Sequence, residues 1–227
     1  MPKQENIRAE DYANAAILFP LAGLLIGLGL GVLAWLYSIS AASPLLMAAI
    51  LTVLWAVITG GLHLKGVGSS ADAWIGGIGD EDETHRILND QITGDAGTTA
   101  IVAVLILKFA ALTVLVEHNF IWSIIFAPVF GRALMLLMFL TTPCVRAEGL
   151  ASAVTTYLPR DLVRLILAVC LLLAVVVSLK GLALMLAGFW LQRRLGMRRL
   201  GGCTLDTAGA SVELGEMFWL IGVALLV

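Results

Sequence analysis

The stretch GGLHLKGVGSSADAW, residues 60–74, follows an unbroken apolar run and sets His63, Lys65, Ser69, Ser70 and Asp72 among Gly60, Gly61, Gly66 and Gly68. An apolar run of about 20 residues is the length that crosses a bilayer. The run from Pro44 to Leu62 has that length, so the polar stretch reads as the mouth of a membrane span. The whole chain agrees. Of its 227 residues 60% are apolar and 13% charged, and the mean hydropathy is +0.98. Soluble domains are closer to half apolar and a quarter charged. The sequence is therefore that of an integral membrane protein. A net charge of -2 and the lack of a basic tract exclude a nucleic-acid footprint, which needs clustered Lys and Arg. Cys144, Cys170 and Cys203 are odd in number and far apart, so they read as packing residues and not as a disulfide framework or a zinc site.

Working outward, Ala13 to Tyr37, Pro44 to Leu62, Gly97 to Val116 and Phe120 to Leu140 each read as one span. The first is too long for a signal-peptide core and has no small-residue cleavage site after it, so no cleaved signal is expected. Leu162 to Leu191 is too long for one crossing, and Ser178-Leu179-Lys180-Gly181 reads as a turn that divides it into two. Thr207 to Val227 ends the chain as a last span carrying Glu213 and Glu216 on one helical face. The predicted fold is all-α: a polytopic helical integral membrane protein with about seven transmembrane helices, one membrane domain over residues 1–227. Charge sets its orientation. The N-terminal arm and residues 63–95, 141–164 and 192–206 hold nearly all the Lys and Arg, whereas the opposite loops hold Lys180. By the positive-inside rule the first group is cytoplasmic. All the glycine- and acid-rich loops then share the cytoplasmic face, and any chemistry is expected there.

Ionisable groups inside spans are costly and face the bundle interior or a wet cavity. Lys108 reads as pairing with an intramembrane Glu or snorkelling, and Arg132 as reaching headgroups or phosphate. The loops carry more: His63 to Asp72, then LNDQITGDAG (Leu88 to Gly97) with Asp90 and Asp95, then LGGCTLDTAGASVELGE (Leu200 to Glu216) with Asp206. The acidic run Asp80 to Glu83 between them reads as a solvated face. Glycines beside acids at helix starts let backbone amides approach an anion while carboxylates hold a divalent cation. Such loops on one side favour a phosphate-and-metal site.

These motifs, with KFAAL (Lys108 to Leu112), TTPCVRAEGL (Thr141 to Leu150) and LFPLAGLLIG (Leu18 to Gly27), resemble in order and spacing the cobalamin synthase family, the adenosylcobinamide-GDP ribazoletransferases. The resemblance covers nearly the whole chain. It implies a multi-pass enzyme of the cell inner membrane, active site toward the cytoplasm, that joins alpha-ribazole or its 5'-phosphate to adenosylcobinamide-GDP, releases GMP and uses Mg2+. It implies the lipid bilayer and these small molecules as partners, with other cobalamin-pathway enzymes or a second copy of the chain as further candidates. With it, His63, Asp72 and Asp90 become the expected catalytic residues. Lys65, Gly94, Gly97, Arg132, Arg146 and Thr204 become the expected substrate contacts, and Asp72, Asp90, Asp206 and Glu213 the expected Mg2+ ligands.

The chain departs from the family pattern at defined places. A pattern close to GGLHLDGLADTADG puts acids where this chain has Lys65, Ser69 and Asp72. In a helix these positions share one face, an acidic patch fit for Mg2+, of which Asp72 alone remains. Where KDSRIGT is usual the chain keeps Asp90 and Gly94 but has Gln91 and Ile92, and Leu205 replaces a glycine of GGxTGD. Lys65, Ser69 and Ile92 are thus expected to impair activity. A catalytically silent membrane scaffold of the same fold stands as the alternative, and a small-solute transporter using Lys108, Glu213 and Glu216 as the more distant one. The orientation is tested in a chain with Cys144, Cys170 and Cys203 replaced. A cysteine introduced at Gly79 is expected to resist impermeant thiol reagents in sealed spheroplasts and to react once the membrane is opened. Labelling from outside would overturn the topology.

Overall fold

The computed structural model describes residues 8–39, 43–90, 92–145 and 149–225. Arg146 and Gln91 lie outside the described residues. Those described form eleven α-helices: α1 (Ala9–Ala16), α2 (Phe19–Ser38), α3 (Pro44–Ile58), α4 (Leu62–Gly76), α5 (Glu81–Leu88), α6 (Asp95–Glu117), α7 (Ile121–Thr141), α8 (Leu150–Tyr157), α9 (Arg160–Val177), α10 (Leu179–Leu200) and α11 (Leu205–Ala224). Helix boundaries fall where backbone chemistry puts them. Pro20 and Pro44 lie in the first turns of α2 and α3, where the missing N–H costs nothing. Gly60 and Gly61, at φ +61° and +67°, turn the chain so that α3 and α4 meet at 88°. Ser178 divides α9 from α10 as the sequence led one to expect, its hydroxyl accepting from Gly181 N at 3.0 Å. Beside the helices, a parallel β-bridge joins Cys144 and Cys203.

The core is α7 and α11, each buried along most of its length. Trp219 of α11 donates from Nε1 to Ser123 O of α7 at 3.0 Å, and its ring meets Phe130 edge-on at 4.4 Å. Around this pair stand α2, α4, α6, α9 and α10, while α1 packs on α8 and α5 on α4. Helices in a bilayer gain nothing from hiding apolar side chains from lipid tails, so close backbone approach supplies much of their attraction. The α2–α7 contact shows this. Gly23, Gly27 and Gly31 form a stripe at intervals of four residues, against the carbonyls of Pro128 and Ile125 and the Ile125 side chain. A Cβ on any of the three would overlap those atoms.

Among the described residues three helices, α2, α6 and α7, are long and apolar enough to cross a membrane, and α3 with α4 makes a fourth if that bent pair is one span. This falls short of the expected seven because charge interrupts the others. Arg160, Asp161 and Arg164 open α9, Lys180 and several arginines punctuate α10, and Asp206, Glu213 and Glu216 lie in α11. The chain is a membrane protein with an all-helical fold. The larger correction concerns residues 63–95, expected as a polar loop. Most of that stretch is helix, and α4 inserts between α6 and α11 with Gly66, Val67, Gly68, Ser69 and Ala73 buried.

The glycine stripe makes a paired prediction. Gly27→Val is expected to destabilise the protein in detergent by about 1–3 kcal/mol through overpacking against α7. Gly29→Ala, at a position with open space around its would-be Cβ, is expected to leave the melting temperature unchanged or raise it. Thermal unfolding of the two variants checks this, and equal effects would sink the close-approach argument.

Candidate functional site

Helix α6 begins at Asp95 with its first backbone N–H groups unpaired within the helix, and they carry the positive end of its dipole. The partner comes from another helix. Asp72 of α4 accepts from Gly94 N through Oδ2 and from Gly97 N through Oδ1, each at 2.7 Å. Both glycines are needed for this approach. A Cβ at Gly94 would lie 2.8 Å from Asp72 Oδ1, and one at Gly97 would strike Asp72 and come within 2.7 Å of Gly68 O. The amides expected to cradle a substrate phosphate are therefore already given to Asp72. Beside this junction lies a cavity of about 380 Å³, lined by Asp72, Asp90, Ile87, Ile92 and Gly94 among others. Asp90 is exposed and uses one oxygen to accept from Ile92 N at 3.1 Å.

The other predicted residues are dispersed. Lys65 is exposed and its carbonyl accepts from Ser69 Oγ at 2.7 Å. Asp206 sits in the first turn of α11, its backbone carbonyl against Gly66, and lines a separate cavity of about 140 Å³ with Cys144, Gly149 and Thr204. Thr204, expected at substrate, is buried and caps α11: its hydroxyl accepts from Thr207 N at 3.2 Å, and its N–H donates to Thr207 Oγ1 at 2.8 Å. Among the described residues no three His, Cys, Asp or Glu side chains gather as a metal site. The four expected Mg2+ ligands thus do not form one cage. Mg2+ is commonly held by one or two carboxylates together with substrate phosphates. By that standard the cavity carrying both Asp72 and Asp90 fits a Mg2+ ion that arrives on a pyrophosphate.

Arg132 and Glu213, expected at phosphate and metal, lie elsewhere, in a buried ion cluster. Lys108 of α6 donates to Glu213 Oε2 at 2.7 Å and to Glu216 Oε2 at 2.5 Å, and Arg132 of α7 donates to Glu216 Oε1. The ammonium also lies 4.2 Å from the centre of the Trp55 ring. Two positive and two negative charges cancel at the centre of the bundle, as buried charge requires. Lys108 therefore does pair with a buried Glu. His63 lies against Gly209 of α11 with Nδ1 buried and unpartnered. Nine residues before Asp72 in the same helix, it is about 13 Å away along the axis and does not line the Asp72 cavity.

Sequence reasoning missed an apolar feature of comparable size. A cavity of about 400 Å³ opens on the opposite side of α4, with Val67, Ser70, Trp74, Gln192, Leu214 and Phe218 on its walls. Its residues come from segments far apart in sequence, and none carries a formal charge that would draw notice except Arg193. That guanidinium is held by Thr142 Oγ1 at 3.0 Å and Thr141 O at 2.6 Å.

The molecule is thus a helical membrane protein whose glycine-rich motif helix separates a carboxylate-lined cavity from an apolar one. The chain belongs to the cobalamin-5-phosphate synthase family, whose model matches residues 1–224. It is 45% identical over 207 residues to a protein of Stutzerimonas stutzeri named adenosylcobinamide-GDP ribazoletransferase, covering 89% of this chain and 84% of that one. A protein of the same name from Pseudomonas savastanoi pv. phaseolicola is 42% identical over 228 residues, covering 96% and 91%. No solved structure matches the chain.

The Asp72 geometry changes how a substitution there is read. Asp72→Ala removes the carboxylate that pairs the Gly94 and Gly97 amides at the start of α6, a loss comparable to that of a helix cap, about 0.5–2 kcal/mol. Asp72→Ala is expected to lower thermal stability measurably, and Asp72→Asn, which keeps one acceptor, by less. Unchanged unfolding of Asp72→Ala would show that Asp72 does not hold the start of α6.

Proposed function

We propose that the chain is an adenosylcobinamide-GDP ribazoletransferase of the cell inner membrane, working at the cytoplasmic face in the last steps of cobalamin biosynthesis. The observation that carries the reading is the cavity at the start of α6, where Asp72 and Asp90 share a wall, in a chain whose relatives bear that name. A seven-span arrangement accommodates the helices: α2, α3, α6, α7, α9, α10 and α11 cross, while α4 turns back into the bundle at 88°. The basic end of α10, with Arg193, Arg194, Arg198 and Arg199, is then cytoplasmic, in keeping with the positive-inside rule.

In the reaction a ribose hydroxyl of the alpha-ribazole attacks the phosphoryl group joined to cobinamide, a P–O bond forms, and the bond to GMP breaks. Bound Mg2+ supplies charge neutralisation on the pyrophosphate. The protein's own part divides between the two carboxylates. Asp72 is fixed by the Gly94 and Gly97 amides and gives the cavity a carboxylate that does not move when substrate enters. Asp90 is exposed and bonded only locally through Ile92 N among the contacts described, so it is the group placed to receive the hydroxyl proton.

The substitutions at the motif positions favour a second reading, a membrane scaffold of this fold without turnover. A lysine in place of an acid cannot bridge phosphate oxygens as a divalent ion does. The deciding measurement is GMP release from adenosylcobinamide-GDP and alpha-ribazole with and without Mg2+. Turnover that requires Mg2+ is expected, with a raised metal requirement that Lys65→Asp with Ser69→Asp lowers at least tenfold, since two charged oxygen donors are restored to a hard-cation site. The same double variant is expected to melt lower without metal, because three carboxylates then crowd one helical face. No turnover from either protein at any Mg2+ concentration would leave the scaffold reading standing.

A further inference from the structure

We infer that the apolar cavity between α4, α10 and α11 is the binding site for the uncharged aromatic base of the nucleoside acceptor, an assignment that rests on the transferase reading above. Four buried side-chain polar atoms lack a partner among the described residues, and two of them, Ser70 Oγ and Gln192 Oε1, belong to residues lining this cavity. Gln192 is held in place by its other amide atom, Nε2 donating to Thr207 O at 2.7 Å, so its carbonyl is left over by construction. Buried polar atoms in native proteins are nearly always satisfied, which marks these two as waiting for a ligand.

The rest of the wall describes that ligand. Trp74 and Phe218, from two different helices, and Val67, Met138 and Leu214 make it apolar, and about 400 Å³ lies within the range of about 300–1,000 Å³ for small-molecule sites. A guanine base presents several polar edge groups and would leave most of them unpaired here. A lipid chain would leave Ser70 and Gln192 unpaired. The base of alpha-ribazole is a methylated benzimidazole, flat and apolar, with one unsubstituted ring nitrogen that accepts a single hydrogen bond. The Ser70 hydroxyl can donate that bond, and the Gln192 carbonyl can accept from a ribose hydroxyl. Position completes the argument. Ile75 lines both this cavity and the one holding Asp72 and Asp90, so a nucleoside seated here has its ribose beside the diphosphate site.

The test uses the full chain in lipid nanodiscs. Calorimetry measures binding of alpha-ribazole and, separately, of adenosylcobinamide-GDP, each with and without the other substrate. GMP release is followed in parallel. Ser70→Ala is expected to weaken alpha-ribazole binding about tenfold by removing one buried hydrogen bond, and Ala71→Phe, which fills the cavity, to abolish it. Both variants are expected to bind adenosylcobinamide-GDP and to unfold thermally as the parent does. Wild-type affinity for alpha-ribazole in both variants, or no alpha-ribazole binding by the parent under any of these conditions, overturns the assignment. So does a co-purified phospholipid in the cavity that alpha-ribazole fails to displace. Binding that both variants lose, without GMP release by the parent, supports the cavity and defeats the transferase reading, so the two failures are distinct.

Discussion

An ammonium group deep inside an apolar bundle fixes much of this structure. Lys108 can be buried only where its charge is cancelled, and the cancelling groups, Glu213 and Glu216, are three residues apart on one face of α11. Glu216 needs a second cation, which Arg132 of α7 provides. Three helices are thereby held at one level of the bundle, since sliding any of them by a turn would separate charges whose desolvation costs several kcal/mol per ion. Once α11 is held, α4 is held too. Its Gly66 rests against the backbone of Asp206 and Ala210, near the start of α11. The reach of Asp72 to the amides at the start of α6 follows from that placement. The cavity beside Asp72 is thus positioned by charges far from it, none of which lines it.

Glycine is the second determinant, acting by slimness and not by flexibility. Gly66 and Gly68 let α4 lie between α11 and α6, where Gly68 faces Thr93 and Ile101. A Cβ at Gly66 would overlap the Asp206 carbonyl, force α4 outward and carry Asp72 away from the α6 amides, while one at Gly68 would press on the Ile101 and Thr93 side chains. Read in the sequence, glycines around polar residues beyond a span suggest a loop, because glycine is common in loops and the mean hydropathy drops. In the fold the same glycines are what a buried helix needs in order to approach two neighbours at once. That ambiguity is physical: one residue type serves both ends, and composition alone does not separate them.

What was legible in the sequence was what depends on local pattern. Apolar run length located α2, α3, α6 and α7, and the Ser178 break divided α9 from α10 as expected. The spacing of Glu213 and Glu216 on one face, with a lysine needing a partner, anticipated the Lys108 pairing. What escaped depends on which helices are neighbours. Arg132 was expected at phosphate because a guanidinium suits phosphate. Its actual partner, Glu216, becomes apparent only when α7 and α11 are known to lie side by side. The stripe of Gly23, Gly27 and Gly31 is legible as a repeat of four, a signature of close helix packing, but the sequence does not say which helix it packs against.

The use of Asp72 explains how the motif helix tolerates lysine and serine where acids are usual. A carboxylate at position 72 has a structural task, pairing the start of α6, which neither neighbouring position shares. Lys65 projects into the open, and Ser69 satisfies its hydroxyl on the Lys65 carbonyl within its own helix. Substitution at 65 or 69 therefore leaves no buried group unpaired and no helix end uncapped, so the fold itself offers no resistance to it. Folding thus constrains the three positions of one helical face unequally. The position that folding requires carries an acid, and the two that folding leaves free carry a lysine and a serine.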